Sequence, residues 1–199
     1  MLNPTRQNLL SLIDEIRGLA TEGLLFSVTS YDKERYSRLV EIAANLLSIY
    51  TRIPAKDASR RFMQDLGVAT PKLGADAAIL DDRDNMLLIR RSDDGLWSLP
   101  GGWVKVQEDP KEAVKREVYE ETGIRVSIRS LIAVNFRPPS SDSAHASVHL
   151  LYLCKIEDGK LTLSEEATAI EFASADDPRP MHKDHAAWCQ QARLFQKEN

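Results

Sequence analysis

Residues 99–124 read Leu99-Pro100-Gly101-Gly102-Trp103-Val104-Lys105-Val106-Gln107-Glu108-Asp109-Pro110, then Lys111-Glu112-Ala113-Val114-Lys115-Arg116-Glu117-Val118-Tyr119-Glu120-Glu121-Thr122-Gly123-Ile124. The order of residue types predicts loop, helix, loop. Asp109 is a good N-cap, Pro110 suits the first helical position, and Glu112, three residues after Asp109, completes a capping-box pattern. Gly123 supplies the left-handed residue that ends the helix. Ahead of the helix, Gly101-Gly102 lets the backbone turn tightly and approach a metal or phosphate with no side chain between.

A helix turns about 100° per residue, which decides where its carboxylates point. Residues four apart nearly eclipse, so Ala113 and Glu121 flank Glu117 closely, one on either side. Val114 and then Val118 lie further round on the Glu121 side, and Glu120 lies on the Ala113 side. Glu117 and Glu121 therefore share the apolar side, and Glu112, Lys115, Arg116 and Tyr119 occupy the outward one. Glu117, Glu120 and Glu121 are expected to press three like charges towards the protein body, at a cost unless they are protonated or neutralised. A divalent metal with oxygen ligands neutralises them, and Mg²⁺ takes a few carboxylates, several waters and phosphate oxygens. An internal salt-bridge network is the alternative.

Spaced as Gly102, Glu108, Arg116-Glu117-Val118, Glu120-Glu121 and Gly123-Ile124, these residues resemble a complete Nudix box, and the flanking Trp97-Ser98-Leu99-Pro100-Gly101 is similar to the same family. The resemblance implies an Mg²⁺- or Mn²⁺-dependent pyrophosphohydrolase. Glu117, Glu120, Glu121 and the Gly102 carbonyl would be metal ligands, Arg116 would orient the glutamates, and Glu108 would support loop and helix. The general base would be Glu117 or an acid of a later loop, where Glu165-Glu166 stands and Glu166 is preferred; a solvated turn is the other use of that pair. Arg90 and Arg91, at the end of a strand leading to the glycine loop, could contact phosphate or be exposed structural residues. Trp97, Trp103 and Phe136 could stack on a base, although core packing is the ordinary use of each.

Outward from this segment, the chain divides. Up to about residue 66 apolar residues recur at helical spacing: Leu9, Leu12, Ile13, Ile16 and Leu19, then Leu39, Ile42, Ala43, Leu46, Leu47 and Tyr50. A third helix is expected from Pro54 to a stop at Gly67. Three short amphipathic helices bury little by themselves, so this front is expected to pack on the next domain or on a second subunit. From Thr70 strands take over, at 75–80 and 86–90 as a hairpin around the polar turn 81–85, then 125–128, 131–136, 147–156 and 169–172, with a last helix over 185–196. The expected organisation is a helical extension over 1–69 and a hydrolase domain over 70–199, of α/β (α+β) class, an α/β/α sandwich with a mixed sheet and two flanking helices.

This front, followed by Gly67-Val68-Ala69-Thr70-Pro71-Lys72, is similar to Nudix hydrolases of X-linked nucleoside diphosphates that carry an N-terminal helical extension. That likeness implies a small nucleoside diphosphate derivative of ADP-ribose or CDP-choline type as substrate, and a homodimer.

With 28% charged and 43% hydrophobic residues the 199-residue chain is ordinary globular material, and its net charge of −4 argues against a dedicated duplex nucleic-acid binder. A non-catalytic nucleotide-binding module and a hydrolase of RNA ends stay open as other readings. No secretory leader or membrane span is read in the chain, so it is expected in the cytoplasm, with Cys154 and Cys189 as reduced thiols. His145, His149, His182 and His185 make no zinc pattern, although His145 and His149 would share a face if both lay in one strand.

Overall fold

The computed structural model describes residues 4–66, 70–140, 143, 145–174 and 177–198. Its backbone divides into two compact units, Met1–Lys72 with Phe136–Ser147, and Leu73–Asn135 with Val148–Asn199.

The first unit is built on α1 (Pro4–Phe26), α2 (Ser30–Tyr50) and α3 (Ala55–Gln64). Leu10, Ile13 and Ala20 of α1, Val40, Ala43, Ala44 and Leu47 of α2, and Ala58 and Phe62 of α3 form one buried cluster, as three- and four-residue spacing requires. Both long helices run further than their apolar periodicity suggests. α2 opens on Thr29, whose side chain accepts the Asp32 N–H at 3.0 Å. Pro54 is the N-cap of α3 rather than its first helical residue, and α3 gives way at Asp65. The expected stop at Gly67 lies outside the described residues, as does the boundary at residue 69.

Lying in the second unit apart from Lys72, Phe136, Arg137 and Ser147 at strand ends, β1 (Lys72–Ile79), β2 (Met86–Arg91), β3 (Trp97–Ser98), β4 (Gly101–Trp103), α4 (Pro110–Thr122), β5 (Ile124–Arg137), β6 (Ser147–Gly159), β7 (Ala167–Ala173) and α5 (His185–Glu198) follow in order. The strands form two sheets, β4-β1-β6-β5 and β3-β2-β7, where a single one was expected. The expected hairpin of β1 and β2 is correspondingly reduced to one antiparallel bridge, Leu80 to Met86, since each strand pairs with partners distant in sequence. Strands expected at 125–128 and 131–136 are one continuous β5.

Alternation along β1 sorts its residues between two helices. Ala75, Ala77 and Ile79 join Ala113, Val114 and Val118 of α4, with Tyr152 and Cys154 of β6. Ala78 joins Trp188, Cys189 and Ala192 of α5, with Leu151 of β6. Period-two alternation thus gives this sheet a helix on either face. Among the described residues no helix is long and apolar enough to cross a membrane.

Candidate active site

The glycine loop is a strand. Gly101, Gly102 and Trp103 pair antiparallel with Asp76, Ala75 and Gly74 of β1, an arrangement that local sequence does not announce. Gly101 has φ +151, and a Cβ there would lie 2.5 Å from the Ala75 carbonyl oxygen. A Cβ on Gly102 would lie 2.7 Å from Cδ of Glu117. The absence of side chains lets α4 press its acids against this backbone.

α4 forms for the reasons its sequence suggests. Asp109 accepts the Lys111 N–H at 2.7 Å, and Gly123, at φ +75, closes the helix in the left-handed region. The capping box is not made: Glu112 pairs with Lys115 at 2.8 Å.

The acids are distributed differently from the expectation of three inward charges. Glu121 is 7% exposed and accepts the Gly101 N–H at 2.8 Å. Glu117 is enclosed, whereas Glu120 turns outward with a side chain 51% exposed. Arg116, on the outward face, folds back and ties them. It donates to both oxygens of Glu108 at 2.7 and 2.9 Å, to Glu117 at 2.7 Å, to Glu120 at 2.9 Å and to the Trp103 carbonyl at 3.2 Å. A guanidinium presents five donors in a fixed fork, which suits this geometry.

Charge and burial set the proton affinities. The Arg116 hydrogen bonds, with the Lys105 N–H, hold Glu108 down at about 2. Burial pushes Glu121 up to about 8, and the charges of Glu117, Glu166 and Asp76 add to it against the Gly101 N–H. Burial likewise raises Glu117, with Arg116 opposing and Glu120 reinforcing. Among the described residues no three His, Cys, Asp or Glu side chains converge as they stand on one ion position, since Arg116 draws Glu117 and Glu120 while Gly101 holds Glu121. The donor set is nonetheless hard oxygen, and its innermost members are those whose charge burial disfavours, which is the chemistry a divalent cation fits.

Glu166 sits just before β7, its carbonyl accepting the Ser92 N–H at 2.9 Å, with its carboxylate within the electrostatic reach of Glu121. Arg91 is held by Asp93 and Asp94. Burial works against its charge, but these acids and Glu121 raise its proton affinity. Arg90 instead caps its own turn, donating to the Gly95 carbonyl at 3.1 Å. Trp97 is buried under the Arg179 guanidinium, 4.1 Å from its ring centroid. Trp103, at 53%, and Phe136 are exposed, against the core role expected of each.

The histidines separate. His145 precedes β6 and pairs with Asp14 at 3.3 Å, so it shares no strand face with His149. His182 pairs with Asp94 at 2.6 Å, and His185 accepts the Leu99 N–H at 3.2 Å. Sequence reasoning missed Asp76, which lies beside Gly101 and pairs with His149. The clue was available: one acid stands in the run Ala75-Asp76-Ala77-Ala78-Ile79, and a charge inside a buried strand needs a partner.

Known proteins match both parts of the chain. Residues 70–192 match the NUDIX domain, and residues 7–62 match the UDP-X-like, N-terminal oligomerisation domain. YjhB of Bacillus subtilis (strain 168), provisionally named an ADP-ribose pyrophosphatase, is 29% identical over 185 residues, 90% of this chain and 87% of that protein. A crystal structure of a UDP-X diphosphatase aligns over 97% of this chain and 96% of that one at TM-score 0.60 and 21% identity, a likeness of fold. An ADP-ribose pyrophosphatase from Streptococcus suis 89-1591 is 32% identical, covering 65% of this chain and 92% of that one at TM-score 0.54.

Proposed function

This chain belongs to the NUDIX family and is a pyrophosphohydrolase, and from that premise we propose that it cleaves the pyrophosphate bond of a nucleoside diphosphate linked to a second group, of ADP-ribose or CDP-choline type, in the cytoplasm. The observation that carries this reading is the pair of enclosed acids, Glu117 and Glu121, laid against the side-chain-free backbone of Gly101 and Gly102. The ADP-ribose pyrophosphatases among its relatives support the substrate class.

Glu117, Glu120, Glu121 and the Gly102 carbonyl would hold Mg²⁺ or Mn²⁺. A bound ion of this kind lowers the pKa of a coordinated water and neutralises charge on the diphosphate. Arg116 keeps Glu117 and Glu120 in place and takes its own orientation from Glu108. Glu166, or Glu117 in its stead, accepts the proton of the attacking water. The new bond joins the water oxygen to one phosphorus, and the bond to the bridging oxygen breaks. Its electron pair leaves with the departing phosphate, giving a nucleoside monophosphate and phosphorylated X. Arg91 offers a cation to the substrate's phosphates; Arg90, turned to Gly95, contributes only if that turn opens.

The working enzyme is a homodimer in this proposal. Leu12, Leu19 and Phe26 are exposed on α1 at seven-residue spacing, a stripe on one helix face, in the segment that matches the oligomerisation domain. Sedimentation of the whole chain with and without Leu19→Glu tests it.

A hydrolysis panel decides the chemistry. ADP-ribose, CDP-choline, NADH, dinucleoside polyphosphates, nucleoside triphosphates and 5′-triphosphorylated RNA are each offered with Mg²⁺, with Mn²⁺ and with chelator, and the products are identified. Metal-dependent release of a nucleoside monophosphate from ADP-ribose or CDP-choline is expected. Turnover of triphosphates alone would refute the proposal.

A further inference from the structure

The strand alternation that turns Ala75, Ala77 and Ile79 towards α4 puts Asp76 on the other face of the sheet, beside Ala78 and the α5 side chains. Asp76 is 3% exposed, and its Oδ2 lies 2.8 Å from Nδ1 of His149, which is also buried. The imidazole fills space that Gly74 leaves, where a Cβ would come within 2.6 Å of Nδ1. Its ring stands between Trp103 and Trp188, with centroids 5.5 and 5.0 Å away. Nε2 is buried with no hydrogen-bond partner among the described residues. A buried ionisable pair with one orphaned nitrogen is a weak source of stability compared with apolar side chains of the same volume.

What the pair does touch is β4. Gly101 is held from the α4 side by Glu121, which accepts its N–H, and on the other side Asp76 Oδ1 lies 3.0 Å from where its Cβ would be. Gly102 meets Glu117. Trp103 gives its carbonyl to Arg116 and its ring to His149. The three residues that set the distance between glycine backbone and acid helix thus meet Glu121, Glu117 and Arg116 of α4, while Asp76 leaves no room for a side chain at Gly101 and the His149 ring packs on Trp103. We propose that Asp76 and His149 are positioning residues for the hydrolysis: through Gly101 and Trp103 they fix β4 where Glu117, Glu121 and the Gly102 carbonyl can act on one centre, without touching substrate. This rests on the pyrophosphohydrolase reading above.

The test uses the full chain with Asp76→Asn, His149→Gln and His149→Phe, the last keeping a ring between the tryptophans. Steady-state kinetics are measured on the best substrate, Mn²⁺ binding to the metal-free protein by calorimetry, and Tm without metal. The expected result is a kcat lower by about 10- to 100-fold, a Mn²⁺ affinity weakened by a comparable factor, as for other groups that orient a ligand set, and a KM within about 3-fold of wild type. A lowered Tm with unchanged kcat and Mn²⁺ affinity would make the pair merely structural and overturn the proposal. A raised KM at constant kcat would overturn it too, by making His149 a substrate contact. Should His149→Phe not fold, the near-isosteric Asp76→Asn decides by the same criteria. If the wild type turned over no nucleoside diphosphate derivative, the proposed substrate class would fail, while the Mn²⁺ affinities would still judge the positioning role.

Discussion

Arg17 in the helical unit and Arg116 in the sheet unit are both enclosed arginines surrounded by acids, yet the charge around them closes in one place and not in the other. Arg17, with a side chain 4% exposed, donates from Nε to Asp14 at 2.8 Å, reaches Asp65 at 3.8 Å and lies over the Phe62 ring. Asp14 also accepts the Ala146 N–H at 3.2 Å and pairs with His145. Burial alone would raise Asp14, but His145, Arg17 and Ala146 bring it below the ordinary aspartate value. Arg116 serves three carboxylates at once, and Glu121 beyond it has, among the described residues, the Gly101 N–H against its burial. One network lowers the proton affinity of its acid; in the other, burial raises that of Glu117 and Glu121. Buried acids whose charged form is disfavoured set the proposed site apart from a structural ion pair, although the two look alike in sequence.

Several measurements can break or sharpen that contrast. The largest effect belongs to Glu117→Gln, which keeps the shape and removes the charge: kcat should fall by about 10²- to 10⁴-fold, as when a catalytic carboxylate is lost, with Tm in metal-free protein no lower than wild type. A variant with near-normal turnover would mean that the Glu117 charge is not used. Asp14→Ala should show the reverse, losing about 3 kcal/mol of stability by stranding a buried guanidinium, while kcat per folded molecule stays within about 2-fold. Denaturant unfolding and active-site-normalised kinetics separate the two cases.

The two networks should also respond to pH with opposite sign. Glu121 has a folded pKa of about 8, above its unfolded value, so its contribution is complete below the ordinary glutamate range and is lost as pH rises towards 8. Asp14 is depressed, so its contribution is present above the ordinary aspartate value and is lost as pH falls through the folded one. Amide exchange of the metal-free protein should show α4 loosening between pH 5 and 8, by on the order of a few kcal/mol, and α1 loosening only in acid. Glu121→Gln should remove most of the first slope and leave the second unchanged, with Glu117, also raised, supplying what remains; an unchanged α4 slope would assign the effect to another group. The smallest effect is local: Asp109→Ala removes the α4 cap and should cost about 1 kcal/mol, read as a lowered Tm at pH 7.

Where the sequence could be read, the information was contiguous. The limits of α4, its cap at Asp109, its end at Gly123 and the inward side of Glu117 and Glu121 follow from rotation per residue and from backbone preferences of single residues. The rotation misplaced Glu120, because angle on a helix says nothing of a neighbour such as Arg116 that draws a flexible side chain outwards. β3 and β4, of two and three residues, are too short to show any period and exist through their pairing with distant strands.

By itself, then, the sequence determined the acid helix, the glycine loop before it, the helical front and the family they belong to, since each is written in residues near one another along the chain. Only the tertiary structure decided that the loop is an edge strand on β1, that the expected hairpin is shared between two sheets, and that Asp76 meets His149 across 73 positions. Such contacts depend on which strands become neighbours, and that is settled by burial summed over the whole core rather than by any segment's own preference.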